Sequence, residues 1–258
     1  MMQETEIKNP DINARRKKHH RPSVALGLWI IKRIENFLMR YSNFDDRPFY
    51  DPALFGWVAG LENGWMKIRE ELEQVLEKPE AIPNFQDISP DQSNITRDDK
   101  WKTFFLYGYG YKMDSNCNRC PKTTRIVEAI PGMMTAFFSV LSPGKHIPPH
   151  RGPYKGLLRC HLALKVPEPG ENCWIQVDEQ VEHWKEGKCL VFDDTYSHMV
   201  QNDTEGTRVV LFIDVVRPLR FPGSLVNKMI IRLIRLSPFI QDAIKNQRAW
   251  EYRLGTGD

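Results

Sequence analysis

No stretch of this 258-residue sequence is apolar for long enough to cross a bilayer. The longest hydrophobic run, VALGLWII at residues 24–31, falls far short of the roughly 20 residues a spanning helix needs. The opening MMQETEIKNPDINARRKKHH has no hydrophobic region of the kind a secretory leader requires. Cysteine is scarce and odd in number, five in all, which argues against a disulfide framework and for a reducing compartment. An excess of one charge is missing too: a formal net charge of +3 is too small to suggest nucleic-acid binding. No internal repeat is present, which excludes solenoids and propellers. These absences predict a cytoplasmic chain, long enough to bury a sizeable core.

What is present is a change of period along the chain. Residues 1–22 are polar and charged, include the basic cluster RRKKHHR at 15–21, and are expected to be a disordered tail. Val24, Leu28, Ile31, Ile34, Leu38 and Tyr41 recur at helical spacing, and LENGWMKIREELEQVLEK at 61–78 reads as a second helix. DISPDQSNITRDDK at 87–100 is loop by composition. Short β-branched and aromatic runs then follow at 135–142, 157–166, 173–178, 188–192 and 207–216, bounded by turns. Strands without intervening helices suggest a sandwich or jelly roll. Leu225, Met229, Leu233, Leu236, Ile240 and Ile244 return to helical spacing at the end. The expected organisation is mainly β with flanking helices: a helical flank at 23–99, a β core at 100–222 and an amphipathic helical segment at 223–258.

The densest cluster of metal-competent side chains is HIPPHRGPYKGLLRCH at 146–161, read as a polar loop running into a strand. In LLRCHLALKV, alternation places Arg159 and His161 on one face and Leu158, Cys160, Leu162 and Leu164 on the other. If the first face lines the space between two sheets, a guanidinium and an imidazole sit inside and need an anionic partner; if it is the outer face, both are solvated. His198 follows the strand KCLVF, and Arg208 opens a strand apolar on both faces, either as a functional cation or as a strand-end side chain reaching water.

Four segments in fixed order, FSVLSPGKHIPPHRGP, LRCHLALKVP, EGKCLVFDDTYSHMVQN and TRVVLFIDVVRP, resemble the aspartyl/asparaginyl β-hydroxylase family of iron(II)/2-oxoglutarate-dependent dioxygenases. The bacterial branch that hydroxylates acyl chains of lipid A and ornithine lipids is similar in further places: around Trp101, in CPKT at 120–123 and in RPLR at 217–220. The resemblance covers roughly residues 100–222 and implies a double-stranded β-helix (jelly roll). It also implies Fe(II) held by His150 and His198, 2-oxoglutarate and O2 as co-substrates, and a distal carboxylate held by Ser139 and Arg208. Arg159 and His161 would lie near the iron-side carboxylate. The carboxylate many such enzymes place two residues after the first histidine is Gly152 here. That departure suggests a two-histidine site with water in the vacant position, Asp194 fixing the water. An aspartate introduced at 152 is then expected to leave the enzyme active. Lipid A hydroxylases tend to carry Asp at that position, so Gly152 also bears on the substrate.

The resemblance thus implies a hydroxylase acting on a membrane-lipid acyl chain, with an Asp/Asn residue or amino-acid derivative as the alternative substrate. A non-catalytic jelly-roll binding module is a more distant alternative, one that has no need of a co-substrate anchor. His146 and His183 read as loop and surface residues, His19 and His20 as part of the basic tail. Cys160 reads as core, and the lone CNRC at 117–120 lacks a second pair for zinc. Both terminal stripes carry Lys and Arg beside them (Lys32, Arg33 and Arg40; Lys228, Arg232 and Arg235). They either pack on the β core or form a peripheral contact with the inner face of a membrane.

Overall fold

A computed structural model of the chain describes residues 22–256. The tail expected to be disordered lies outside the described residues, apart from Pro22, which opens the first helix. Helix α1 spans Pro22–Arg40, β1 Phe49–Tyr50, α2 Gly56–Asn63, α3 Trp65–Leu76 and α4 Phe85–Ile88. Strands β2 (Trp101–Gly108) and β3 (Tyr111–Lys112) are followed by helices α5 (Asp114–Arg119) and α6 (Pro121–Glu128). Then come β4 (Met133–Leu141), β5 (His146–His150), β6 (Leu157–Lys165), β7 (Cys173–Val177) and β8 (Gln180–His183). Strands β9 (Cys189–Phe192), β10 (His198–Asn202) and β11 (Arg208–Val216) complete the sheets, and α7 (Gly223–Arg235) and α8 (Pro238–Thr256) end the described chain.

The strands form a seven-stranded sheet, in the order β1-β9-β6-β11-β4-β2-β3, and a four-stranded sheet, β5-β10-β7-β8. Pairing is antiparallel throughout, and the two sheets face each other as a jelly roll. Strand alternation divides the core. The outward faces of β6 and β11 (Leu158, Cys160, Leu162; Val209, Leu211, Ile213) pack beneath Ile68, Leu72 and Val75 of α3. Their inward faces meet Ile147, Ile175, Val177 and Val200 of the smaller sheet. β11 is apolar on both faces because it lies in the middle of three layers. Arg159, His161 and Ala163 therefore point between the sheets, which decides the alternative left open by alternation alone.

Several local expectations need correction. The helix expected at 61–78 is broken at Gly64, where a side chain would lie 2.8 Å from Ile126 Cδ1; α6 approaches too closely for one. The segment read as a loop at 146–150 is β5, paired with β10. It occupies a sheet edge, and Pro148 and Pro149 fall where its register with β10 shifts. The interval 87–100 holds the end of α4 and a 3-10 turn at Pro90–Asn94. The C-terminal stripe is divided at Ser237, with Pro238 at the first position of α8. β1, from the expected helical flank, joins the edge of the larger sheet, and α5 and α6 fall inside the interval expected to be β. Among the described residues no helix is long and apolar enough to cross a membrane.

Candidate active site

β5 ends on His150 and β10 begins on His198, and the two residues face each other in the ladder with ring centroids 4.1 Å apart. Each ring is held by its own backbone. His150 Nδ1 lies 2.9 Å from the carbonyl of Pro148, and His198 Nδ1 lies 3.0 Å from that of Tyr196. With Nδ1–H donating to those carbonyls, the Nε2 lone pair of both rings is left available. Burial lowers both pKa values, that of His198 to about 3, with the neighbouring His150 and then Arg159 adding to the effect. The pair is therefore neutral at physiological pH, the state a metal needs. Among the described residues no cluster of three His, Cys, Asp or Glu side chains is assembled for a metal.

Behind this pair, between the two sheets, buried polar atoms stand without partners. Arg208 is 1% exposed, and its guanidinium carbon lies 4.6 Å from the centre of the Trp184 ring. Its Nε and Nη1 have no hydrogen-bond partner, nor do both nitrogens of His161, Trp184 Nε1 and Thr103 Oγ1. Burial brings the Arg208 pKa down to about 10 and holds His161 neutral, with Arg208, Arg159 and His198 reinforcing the second effect. Ser139, directly opposite Val210 in the ladder, accepts a hydrogen bond from Trp101 Nε1 at 3.1 Å. Folded proteins rarely leave so many buried donors unsatisfied in one place. The donor set has the chemistry to receive an anion.

Arg159 lies near the histidine pair, where its charge helps lower the pKa of both rings. Its charge is already met by two acids, Asp194 at 2.8 Å and Asp214 at 2.9 Å, and it lies 4.2 Å from the Phe212 ring centre. Burial raises the Asp194 pKa to about 6, which nearby Asp214 and Asp193 reinforce and Arg159 opposes. Asp194 also bears on the expectation for Gly152. A Cβ at 152 would lie 2.1 Å from Asp194 Oδ2, and Gly152 N donates to the Asp194 carbonyl at 2.7 Å. The glycine makes room for the Asp194 carboxylate, so any side chain there must expel it. Gly152→Ala is accordingly expected to lower turnover at least tenfold while the chain stays folded, measured by steady-state rate alongside a thermal melt.

Sequence reasoning missed the supports of the loop carrying Asp194 and His198. Asp193 accepts from Thr195 N at 2.9 Å and Thr195 Oγ1 at 2.6 Å, and its other oxygen pairs with Arg217, fully buried. Arg217 also donates to Tyr50 Oη at 3.0 Å, tying the loop to β1. Arg217 stood in the RPLR motif and Trp101 in another, without roles; Trp184 carried no signal beyond its aromatic ring. Of the remaining histidines, His146, expected in a loop, is exposed on β5 and pairs with Asp203, and exposed His183 ends β8, whereas His19 and His20 lie outside the described residues. Cys160 is core, and Cys117 and Cys120 are buried free thiols.

Beside the layer of Arg159 and Asp214 opens a cavity of about 330 Å³. Its walls are mostly apolar: Phe105, Phe137 and Phe212 from the sheet, Ile240, Ala243 and Ile244 from α8. Arg151, Arg159 and Asp214 are the charged residues in its lining. Arg151, next to His150 in sequence, is steadied by the Thr195 carbonyl at 3.0 Å and Glu35 of α1 at 2.8 Å. Ligand pockets commonly combine such apolar walls with a few placed charges.

Residues 62–218 match the family model described as aspartyl/asparaginyl beta-hydroxylase. The chain is 48% identical over 233 residues to an ornithine lipid ester-linked acyl 2-hydroxylase of Rhizobium tropici, covering 90% of this chain and 83% of that one. It is 31% identical over 182 residues to the human aspartyl/asparaginyl beta-hydroxylase, covering 67% of this chain but only 23% of the human protein. Among solved structures, a prolyl hydroxylase of Trichoplax adhaerens superposes with a TM-score of 0.46 at 12% identity, over 74% of this chain and 93% of that one. Together, the family match and the extent of identity establish that the chain belongs to the aspartyl/asparaginyl β-hydroxylase family.

Proposed function

We propose that this protein is an Fe(II)/2-oxoglutarate-dependent dioxygenase that hydroxylates an acyl chain of a membrane lipid, working in the cytoplasm at the inner face of a membrane. The observation that carries the reading is the set of unpartnered buried donors around Arg208, placed behind two neutral imidazoles with free Nε2 atoms. His150 and His198 would hold the iron. Arg208 and Ser139 would hold the distal carboxylate of 2-oxoglutarate, where a planar guanidinium offers a fork of parallel donors. The buried edge of His161 would face the co-substrate from the neighbouring strand. When bound, iron with 2-oxoglutarate and O2 supplies the oxidation of an unactivated C–H bond.

The chain's own part is placement. Asp194, fixed by Arg159 and seated over Gly152, would orient a water beside the histidine pair. Arg151 and Arg159 would keep the polar part of the substrate at one end of the cavity, while Phe105, Phe137 and the α8 side chains receive the apolar chain and exclude water. The Rhizobium tropici relative is by name a hydroxylase of an ornithine lipid, which agrees with an apolar cavity that has charges in its lining.

The test is conversion. Purified protein with Fe(II) and 2-oxoglutarate, given detergent-dispersed ornithine lipid, is expected to form succinate and a lipid carrying one additional oxygen, both read by mass spectrometry. Ala243→Phe, which fills the cavity from α8, should lower conversion of long acyl chains several-fold and spare short ones. Succinate formation driven by Asp- or Asn-containing peptides and not by lipid would overturn the substrate; no dependence on 2-oxoglutarate would overturn the class.

A further inference from the structure

Apolar side chains stand in water on one side of this protein, in a pattern that packing on the β core does not explain. Phe221, Leu225, Met229, Leu233 and Leu236 recur every three or four residues along α7 and its approach. Their exposures run from 50% for Leu225 to 76% for Phe221. The opposite face of the helix is the one that packs. Ile231 is buried against Leu38 and Tyr154, with Val226, Ile230 and Ile234 beside it. Asn227 locks the rotation, donating to the Gly156 carbonyl at 2.9 Å and accepting from Tyr154 Oη at 2.6 Å. The outward stripe is thus a fixed face of the fold. Trp29 and Ile30 of α1, 56% and 44% exposed, extend it across a groove shared with Val226. A surface of this kind marks an interaction site.

Among the described residues of α1 and α7, the exposed charges are of one sign. α7 contains no acidic residue, and its Lys228 and Arg232 are exposed. On α1, Lys32, Arg33 and Arg40 are exposed, whereas its acidic Glu35 is buried and paired with Arg151. The sequence immediately before α1 is RRKKHHR. A second copy of this chain would bring cation against cation. The face is also continuous with the apolar cavity: Phe239, three positions beyond Leu236, both lines the cavity and is 40% exposed.

We infer that the outward face of α7, together with Trp29 and Ile30 of α1, docks on an anionic lipid bilayer, its leucines and aromatics entering the interface and its lysines and arginines meeting headgroups. Amphipathic helices with basic flanks bind interfaces through buried apolar area plus attraction to anionic lipid. The lipid reading of the cavity guides the choice of occupant. Docking in this orientation brings the α8 end of the cavity to the surface from which an acyl chain enters.

The experiment is co-sedimentation of the full chain, without iron or 2-oxoglutarate, with vesicles of phosphatidylcholine alone or mixed with phosphatidylglycerol. Binding is expected with the anionic vesicles, weaker with the neutral ones, and falling as salt rises. Lys228→Ser with Arg232→Ser should reduce anionic-vesicle binding roughly thirtyfold, two cations' worth of surface attraction. Leu225→Ser, Met229→Ser and Leu233→Ser combined should abolish it, and the solubility of these exposed positions lets the variant fold. Val181→Ser, an exposed apolar residue on β8, is the control and should change nothing. Absence of pelleting with both vesicles would overturn the inference. So would a dimer by light scattering that the triple variant dissociates, since the occupant would then be a second copy. Pelleting needs no turnover, so failure of the hydroxylase reading would leave it intact and appear only in the conversion assay.

Discussion

Replacing His198 with alanine is expected to abolish iron-dependent succinate formation and leave the protein folded. The imidazole is neutral, aligned by the Tyr196 carbonyl, and presents one nitrogen lone pair beside that of His150. With no third acidic or sulfur side chain assembled among the described residues, each histidine would supply half of the protein's hold on the metal. Loss of one should exceed the roughly 10–100-fold cost of removing a mere outer partner of a ligand. β10 keeps its ladder with β7 through Met199–Asn202, so the melting temperature of the metal-free protein should move little. Iron content by mass spectrometry and succinate by chromatography report the two losses together. His150→Ala should behave alike; normal iron loading and turnover in either variant would remove that residue from the metal site.

The second large effect concerns Arg208 and has opposite signs in two measurements. Removing one partner of a buried charge pair typically costs about 2–5 kcal/mol, so Arg208→Ala should raise the KM for 2-oxoglutarate by more than tenfold. Arg208→Lys should recover part of the loss, because a point charge lacks the fork. Stability should move the other way. In the free protein the guanidinium is buried with Nε and Nη1 unpartnered, and burial has already drawn its pKa down to about 10. An uncompensated buried cation destabilises a fold, and an apolar side chain of similar volume relieves it. Arg208→Met is therefore expected to melt higher than the parent in the absence of 2-oxoglutarate, and to lose the stabilisation that 2-oxoglutarate gives the parent. A lower melting temperature for Arg208→Met without ligand would show that the guanidinium is satisfied some other way.

The strands that carry the site were legible because alternation is a local property. LLRCHLALKV and TRVVLFIDVV announce two faces each, and the residues on those faces are where the pattern puts them. HIPPH was read as loop because proline disfavours a central strand; that β5 is an edge follows from sheet order, which no window of sequence contains. Gly64, where a continuous helix was expected, and Gly152 have one thing in common. In both, the glycine answers to a neighbour remote in sequence, Ile126 in one case and Asp194 in the other. The partners of Asp193 and the position of Trp184 over Arg208 are likewise products of packing between distant segments. The two terminal stripes looked alike in sequence. Only the structure separates the buried face of α7 from the exposed one.

β11 carries both ends of the site on one face. Arg208 opens the strand, and Asp214, which grips Arg159, lies six positions later (214 − 208), about 20 Å at the rise of an extended chain. Because side chains alternate, inserting or deleting one residue between them would turn one end outward. If Arg208 anchors the co-substrate as proposed, its distance from the cavity is set by a rigid measuring rod, clamped on both sides by β4 and β6. α8 shares no ladder with that rod, yet it forms the roof of the cavity. On the proposed function, substitutions in the roof would alter which chain fits and leave the rod's length untouched. A lineage built on this scaffold would then exchange substrates through its last helix while His150, His198 and Arg208 stay in place.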